Sequence, residues 1–194
     1  RVDDNVLDLI DVETTGETLA LTHSGTSFKG NVTLEATITM PTVESLELNG
    51  AASADLNGFD SLDSLELDLS GASNVTGELT ADRIEIDASG ASRVTGELAV
   101  DDLEIVATGA SRVLLEGSAT SVTLDASGAS NLDLEDLEAA TGEVELSGAS
   151  QATVNFTEAI DSVDVSGAST LKYLGDPTLG QVNSSGASSV DKVD

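Results

Sequence analysis

The chain has 194 residues, which is enough for one domain with a sizeable hydrophobic core. Its 36 acidic residues outnumber 7 basic ones, for a formal net charge of −29, and only 2% of its residues are aromatic. Nucleic acids and anionic membranes bind proteins through cationic surfaces, so this charge argues strongly against both as partners. The chain has no cysteine and therefore no disulfide framework or thiolate chemistry. Aliphatic residues occur throughout, which predicts a folded core of Val, Leu, Ile and Ala.

No apolar run is long enough to cross a bilayer, and no signal peptide is present. We therefore expect no membrane insertion within this sequence. The chain opens at Arg1-Val2-Asp3-Asp4, which reads as the middle of a domain. We accordingly expect a leader or an anchor segment upstream of residue 1.

Residues 1–45 follow no clear repeat, and we interpret them as an N-terminal β cap or degenerate coils. Residues 19–23, with Gly25, are compatible with a degenerate coil, and residues 32–40 alternate as a strand that Pro41 ends. Because an open coil end exposes unpaired backbone groups, a cap with some antiparallel pairing is expected here.

From residue 46 onward a Gly-Ala-Ser tripeptide, once Gly-Ala-Ala, recurs eight times. Its glycine spacing is 21 residues once, 20 once and otherwise 19, which is the signature of a repeat fold. The glycines are Gly50, Gly71, Gly90, Gly109, Gly128, Gly148, Gly167 and Gly186.

Alignment on these glycines gives apolar and polar columns that alternate with period two, as in a strand with one buried face. The position four residues before the glycine is always apolar, whereas the position immediately before it is Asn49 and otherwise Ser or Thr. The first of these columns contains Leu46, Leu67, Ile86, Ile105, Leu124, Val144, Val163 and Val182.

These columns predict an all-β fold, a single parallel β-helix of about eight 19-residue coils. Each coil is expected to hold a strand of about six residues before the Gly-Ala-Ser corner, a second strand such as residues 93–98, and a third short side. The glycine permits backbone angles that other residues resist, and we expect the alanine to fit the inner corner. Right-handed crossovers dominate in parallel sheets, so we expect a right-handed helix. It should span residues 46–194, with a C-terminal cap near residues 171–194 and one domain overall.

The sequence resembles the auto-transporter adhesins with a head GIN domain, a family of bacterial and archaeal surface proteins. The resemblance rests on residues 41–50 (PTVESLELNG), on residues 65–73 (LELDLSGAS) and on residues 171–177 (LKYLGDP). It covers nearly the whole chain and implies a β-helical surface protein. It supplies no catalytic residues that could be carried over.

Acidic side chains form two outward columns of the predicted helix. Neighbouring carboxylates in such a column would lie about 5 Å apart and repel by roughly 1 kcal/mol in water. Calcium, which prefers several oxygen ligands, would relieve this repulsion, although the sequence contains no known calcium-binding loop. The alternative is a plain solvated face. The candidate metal ligands are Glu47, Asp68, Asp87, Asp125, Glu145 and Asp164, and the second column contains Glu66, Glu85, Glu104 and Glu143.

Catalysis is not expected. The acids belong to the repeat, no long loops build a cleft, and His23 is the only histidine, so no histidine triad or histidine metal cluster can form within this chain. No cofactor is expected apart from the calcium just considered.

The sequence therefore favours a non-catalytic cell-surface or secreted β-helix that serves as an adhesin or structural spacer. The expected partner is a surface protein or a glycan. One alternative is an extracellular filament or lattice built by self-association of coils, and another is a divalent-cation module.

Overall fold

The computed structural model describes residues 10–23 and 34–193. This described part contains twelve β-strands and no helix, and therefore no helix able to cross a membrane. It falls into two compact units, one within Arg1–Met40 and one within Pro41–Asp194. The all-β fold class is thus confirmed, whereas the expectation of a single domain stays a prediction.

The N-terminal unit contains an antiparallel hairpin of β1 (Ile10–Thr15) and β2 (Thr18–His23). Gly16 has a φ of 63° at the first position of the two-residue turn, where a glycine is favoured in type II′ hairpins. The predicted antiparallel pairing is confirmed, whereas the interpretation of residues 19–23 as a degenerate coil is wrong.

The predicted strand at residues 32–40 is wrong over its described part, because only Leu34 makes a bridge and residues 35–40 have no strand structure. Residues 32 and 33 lie outside the described residues. The side chains of Leu34, Ile38 and Met40 are 43%, 48% and 38% exposed. Alternation alone does not make a strand where no face is buried.

The larger unit is a parallel β-solenoid of about eight turns, as predicted. Six full coils each form one continuous strand of 15 to 17 residues that runs from one Gly-Ala-Ser corner to the next. The predicted division of each coil into separate strands is therefore wrong, because ladder bonding continues through the bends. The strands are β3 (Ser45–Leu48), β4 (Ser53–Leu69), β5 (Asn74–Ala88), β6 (Arg93–Ala107), β7 (Arg112–Ala126), β8 (Asn131–Leu146), β9 (Gln151–Val165), β10 (Thr170–Leu174), β11 (Thr178–Ser184) and β12 (Ser189–Lys192).

β10, β11 and β12 continue the parallel ladder: β10 pairs with β9 and β12, and β11 pairs with β9. The boundaries of the predicted N-terminal and C-terminal caps and the right hand of the helix stay predictions.

The core is aliphatic, as the composition predicts, and it follows the predicted columns. Leu67, Ile86, Ile105 and Leu124 are each at most 1% exposed. One aromatic ring also enters the core: Phe156 is 1% exposed and occupies the space beside Gly142, which has no side chain. Full burial of an aliphatic side chain contributes about 1.5–3 kcal/mol, so the stacked columns are the main source of stability.

The corner places serine, not alanine, on the inside. Ala91 and Ala110 are exposed, whereas Ser92 and Ser111 are 1% exposed. The Ser111 hydroxyl donates to the Thr108 carbonyl at 2.6 Å and to the Ala88 carbonyl of the preceding coil at 2.9 Å. The expectation that alanine fits the inner corner is therefore wrong. At several corners the buried hydroxyl bonds inner carbonyls, whereas the buried hydroxyls of Ser73 and Ser92 have no hydrogen-bond partner among the described residues.

Candidate functional site: the outward columns of the solenoid

The first acidic column is in register over most of the solenoid. Glu47 pairs with Asp68 and Asp68 with Asp87, and after a break the column continues through Asp125, Glu145 and Asp164. All six predicted ligands are exposed. The break is Val106, which lies between Asp87 and Asp125. The structure therefore divides the predicted ladder into two runs of three carboxylates.

Amide side chains lie at both ends of this column. Asn49 donates to the Glu47 carboxylate at 2.7 Å, and Asn183 donates to Asp164 at 3.1 Å. The carboxylates at the two ends of the column thus accept hydrogen bonds from amides, whereas Val106 interrupts the column near its centre.

The second acidic column is shorter than predicted. Glu66, Glu85 and Glu104 are in register, but Thr123 follows and separates them from Glu143. Arg83 lies beside this column and forms ion pairs with Glu85 at 3.6 Å and Glu104 at 2.5 Å. One cation therefore offsets part of the repulsion among these glutamates.

Carboxylate crowding affects the pKa of Asp87. Although the residue is exposed, partial shielding of its carboxyl group from water raises its pKa, and the negative charges of Asp68 and Glu85 raise it further. Asp87 ends the first run: Asp68 lies opposite it on the neighbouring coil, and Glu85 lies two residues before it on the same strand.

Within residues 10–23 and 34–193, no three acidic or histidine side chains converge on a point where a metal ion could sit. A calcium ion would therefore have to bridge carboxylates along a column, and calcium binding at the six predicted ligands stays a prediction.

A third outward column was missed by the sequence reasoning. It follows the Gly-Ala-Ser corner directly, contains no carboxylate, and consists entirely of side chains that can donate hydrogen bonds. We call it the donor column. Its members, in register from coil to coil, are Ser53, Asn74, Arg93, Arg112, Asn131, Gln151, Thr170 and Ser189. The signal was available in the sequence, because every member stands three residues after a corner glycine.

An open groove of about 350 Å³ crosses four coils elsewhere on the surface. Its floor contains Leu62, Ala81, Val100 and Ala119, and its rim contains the hydroxyls of Ser61, Thr80, Ser118 and Thr120 with the carboxylates of Asp82 and Asp101. The groove is shallow and open to solvent, and no sequence pattern indicated it.

Three solved structures have folds similar to that of this chain. A crystal structure of a putative lipid binding protein from Parabacteroides distasonis ATCC 8503 has a TM-score of 0.87 at 18% identity, and the match covers 100% of this chain and 82% of that one. A putative adhesin from Parabacteroides merdae ATCC 43184 has a TM-score of 0.84 at 15% identity, with 100% and 81% covered. A putative adhesin from Bacteroides fragilis NCTC 9343 has a TM-score of 0.73 at 26% identity, with 98% and 79% covered.

No curated protein matches the sequence. The family model described as putative auto-transporter adhesin, head GIN domain, matches residues 1–177, which is most of the chain. The resemblance noted in the sequence is thereby confirmed, and the chain belongs to this head GIN domain adhesin family.

Proposed function

We propose that the protein is a non-catalytic adhesin that acts at the cell surface or after secretion. The observation that carries this proposal is the register of the outward columns, which presents one kind of side chain on successive coils at a spacing of about 4.8 Å. A rigid surface that repeats its contacts favours multivalent binding to a partner that also repeats. Membership of the adhesin family supports the same role and the same location.

The dense core supports a surface role over the internal carriage of an apolar ligand. The apolar void lined by Gly77, Gly96 and Leu115 has a volume of about 10 Å³. Ligand pockets usually measure about 300–1,000 Å³, so this void does not accommodate a lipid chain.

The test is adhesion of beads coated with the whole chain to cells and to glycan-coated surfaces. We expect adhesion to exceed that of beads coated with an unrelated protein of the same net charge, and to be competed by the soluble chain. Equal adhesion of both bead types, or a lack of competition, would contradict the proposal.

Self-association is the second candidate, because β11 is exposed along its length. Leu179 and Val182 are 39% and 42% exposed, and β9 is the only described strand that pairs with β11. An exposed strand edge is a template for pairing with another chain. Light scattering should then show particle growth with protein concentration, and Val182→Lys should reduce that growth. A constant particle mass would contradict this candidate.

A further inference from the structure

The donor column holds two arginines on adjacent coils. Arg93 pairs in register with Arg112, and their other neighbours in the column are Asn74 and Asn131. Both arginines are exposed, and neither makes an ion pair or a side-chain hydrogen bond within the described residues. Like charges directly opposite each other on neighbouring strands are destabilising, so this placement is unfavourable for the fold alone.

The other described lysines and arginines are placed differently. Arg83 is paired with Glu85 and Glu104, Lys192 contacts Asp176 at 2.5 Å, and Lys172 lies opposite Asp191 in register. In a chain with five times more acids than bases, this is the expected arrangement of a cation. Arg93 and Arg112 therefore stand out, because neither has a carboxylate beside it in its column.

The column offers unused hydrogen-bond donors over a long distance. The amide side chains of Asn74, Asn131 and Gln151 make no hydrogen bond to other described residues. From Asn74 to Thr170 the column crosses six rungs, which is about 24 Å at the usual strand spacing. It is bordered on the corner side by exposed alanines such as Ala91 and Ala110, which leave the arginines accessible.

Carboxylates lie further along the strands from the donor column. Glu78, Glu97 and Glu116 are in register four residues further along the strands, about 13 Å from the arginines. The nearest carboxylate in the next column is Asp133, which lies diagonally across from Arg112. Screening at physiological ionic strength acts over about 8 Å, so an anion at the arginine pair is partly shielded from the glutamates.

We propose that the donor column binds a linear anionic glycan, with Arg93 and Arg112 on one sulfate or carboxylate group and the amides on neighbouring hydroxyls. Guanidinium groups bind such anions through paired, charge-assisted hydrogen bonds. This names a partner class for the proposed adhesin role and rests on that role.

The flanking charges favour a narrow polymer over a membrane. A flat anionic bilayer that touches Arg93 would also approach Glu97 on the same face and be repelled. A single glycan chain can follow the column without this approach. Single-stranded nucleic acid is disfavoured as well, because it is bound through aromatic stacking and the column has no aromatic residue.

The test is a titration of the whole chain with heparin-derived and polyuronate oligosaccharides, with neutral dextran for comparison, at low and physiological salt. We expect binding of at least one anionic glycan, no binding of dextran, and affinity that falls with salt. The double variant R93Q/R112Q should bind at least tenfold more weakly. The matched control R83Q/K172Q changes the net charge equally and should stay within about twofold of the parent chain, with circular dichroism confirming that both variants fold.

Equal losses in the two double variants would overturn the proposal, as would dextran binding or binding only to vesicles of anionic phospholipid. Failure of both anionic glycans to bind the parent chain would also overturn it. If beads coated with R93Q/R112Q still adhere, the donor column is not the binding surface, but the adhesin role is unaffected. If the parent chain binds glycans but its beads do not adhere, only the adhesin role is contradicted.

Discussion

The corner glycines combine a positive φ with close contact to the coil before them. Gly90 has a φ of 75°, and a Cβ at this position would lie 2.5 Å from the Gly71 carbonyl oxygen. Gly50 has the same backbone conformation, with a φ of 76°, but nothing lies within 4 Å of the position of its Cβ. Alanine substitutions at the two glycines therefore distinguish the energetic cost of backbone strain from that of coil-to-coil overpacking.

We expect Gly90→Ala to lower the free energy of unfolding by roughly 2–5 kcal/mol, from about 1–2 kcal/mol of left-handed strain and about 1–3 kcal/mol of overpacking. Gly50→Ala should lose only the strain, about 1–2 kcal/mol. Denaturant unfolding of the two variants measures the difference. Equal losses of unfolding free energy would show that the close stacking of the corner glycines adds nothing to the cost of a positive φ.

Asp87 gives a prediction that depends on pH. Its pKa is raised above the ordinary 3.8 by shielding from water and by Asp68 and Glu85, so the folded state binds the proton more tightly than the unfolded state. The contribution of Asp87 to the free energy of unfolding therefore falls as pH rises from 3.8 through the raised pKa, and the loss is complete above that window.

Asp87→Asn should accordingly raise the Tm at neutral pH, by up to about 2–4 °C because the group is exposed and its interactions are screened. The gain should vanish below pH 3.8. Asp125→Asn is the control, since Asp125 also lies between Val106 and one carboxylate in its column but has Thr123 where Asp87 has Glu85. Thermal melts of both variants at several pH values test this prediction. A Tm gain for Asp87→Asn that persists in acid would show that the raised pKa of Asp87 is not its cause.

Single residues could be predicted wherever their column was regular. The inward position of Ile86 and the outward position of Asp87 follow from period-two alternation alone. The inward serine did not follow, because alanine and serine are both small and the sequence does not show which of the two side chains the corner turns inward. The contact of Phe156 with Gly142 was also hidden, because these two residues come from different coils.

At the scale of the strand, extra residues are absorbed as bulges away from the corners. The 21-residue coil has register shifts in β4 between Leu56 and Phe59 and between Phe59 and Leu62. The 20-residue coil, which contains β8, has one register shift against β7, between Leu114 and Gly117, and three against β9. The spacing of the glycines reveals that residues are inserted, but it does not reveal where, since any position between two corners satisfies the count. Bulges keep the alternation correct on both sides of them.

Two single deletions test this interpretation. Deletion of Gly58, which lies in a bulge of β4, should lower the Tm by only a few degrees, because the ladder on both sides keeps its register. Deletion of Thr95 from β6 should prevent cooperative folding, because a slip of one residue turns the buried face of a regular coil outward. Circular dichroism and thermal melts provide the comparison, and similar behaviour of the two deletions would refute it.

For the whole molecule, the repeat accounts for the fold more completely than for the site. The parallel solenoid and its two acidic columns follow from the glycine alignment, since stacked coils place equivalent residues side by side. The same alignment also shows that Val106 and Thr123 interrupt the acidic columns. The donor column carries a weaker signal, because its members differ in size and charge and share only the ability to donate hydrogen bonds.

The charge of −29 gives the last prediction, which concerns the response of the folded chain to cations. Sodium chloride should raise the Tm by screening the acidic columns. Calcium at matched ionic strength should raise it further if ions bridge neighbouring carboxylates, because screening depends on ionic strength whereas bridging depends on oxygen ligands. Replacement of the middle carboxylate of each run, Asp68→Asn with Glu145→Gln in one variant, should reduce this calcium excess. Asp87→Asn at the end of the first run should also reduce it, whereas Asp161→Asn outside the columns should not. Equal effects of the two salts on the Tm would indicate that the acidic columns are solvated and do not bind calcium.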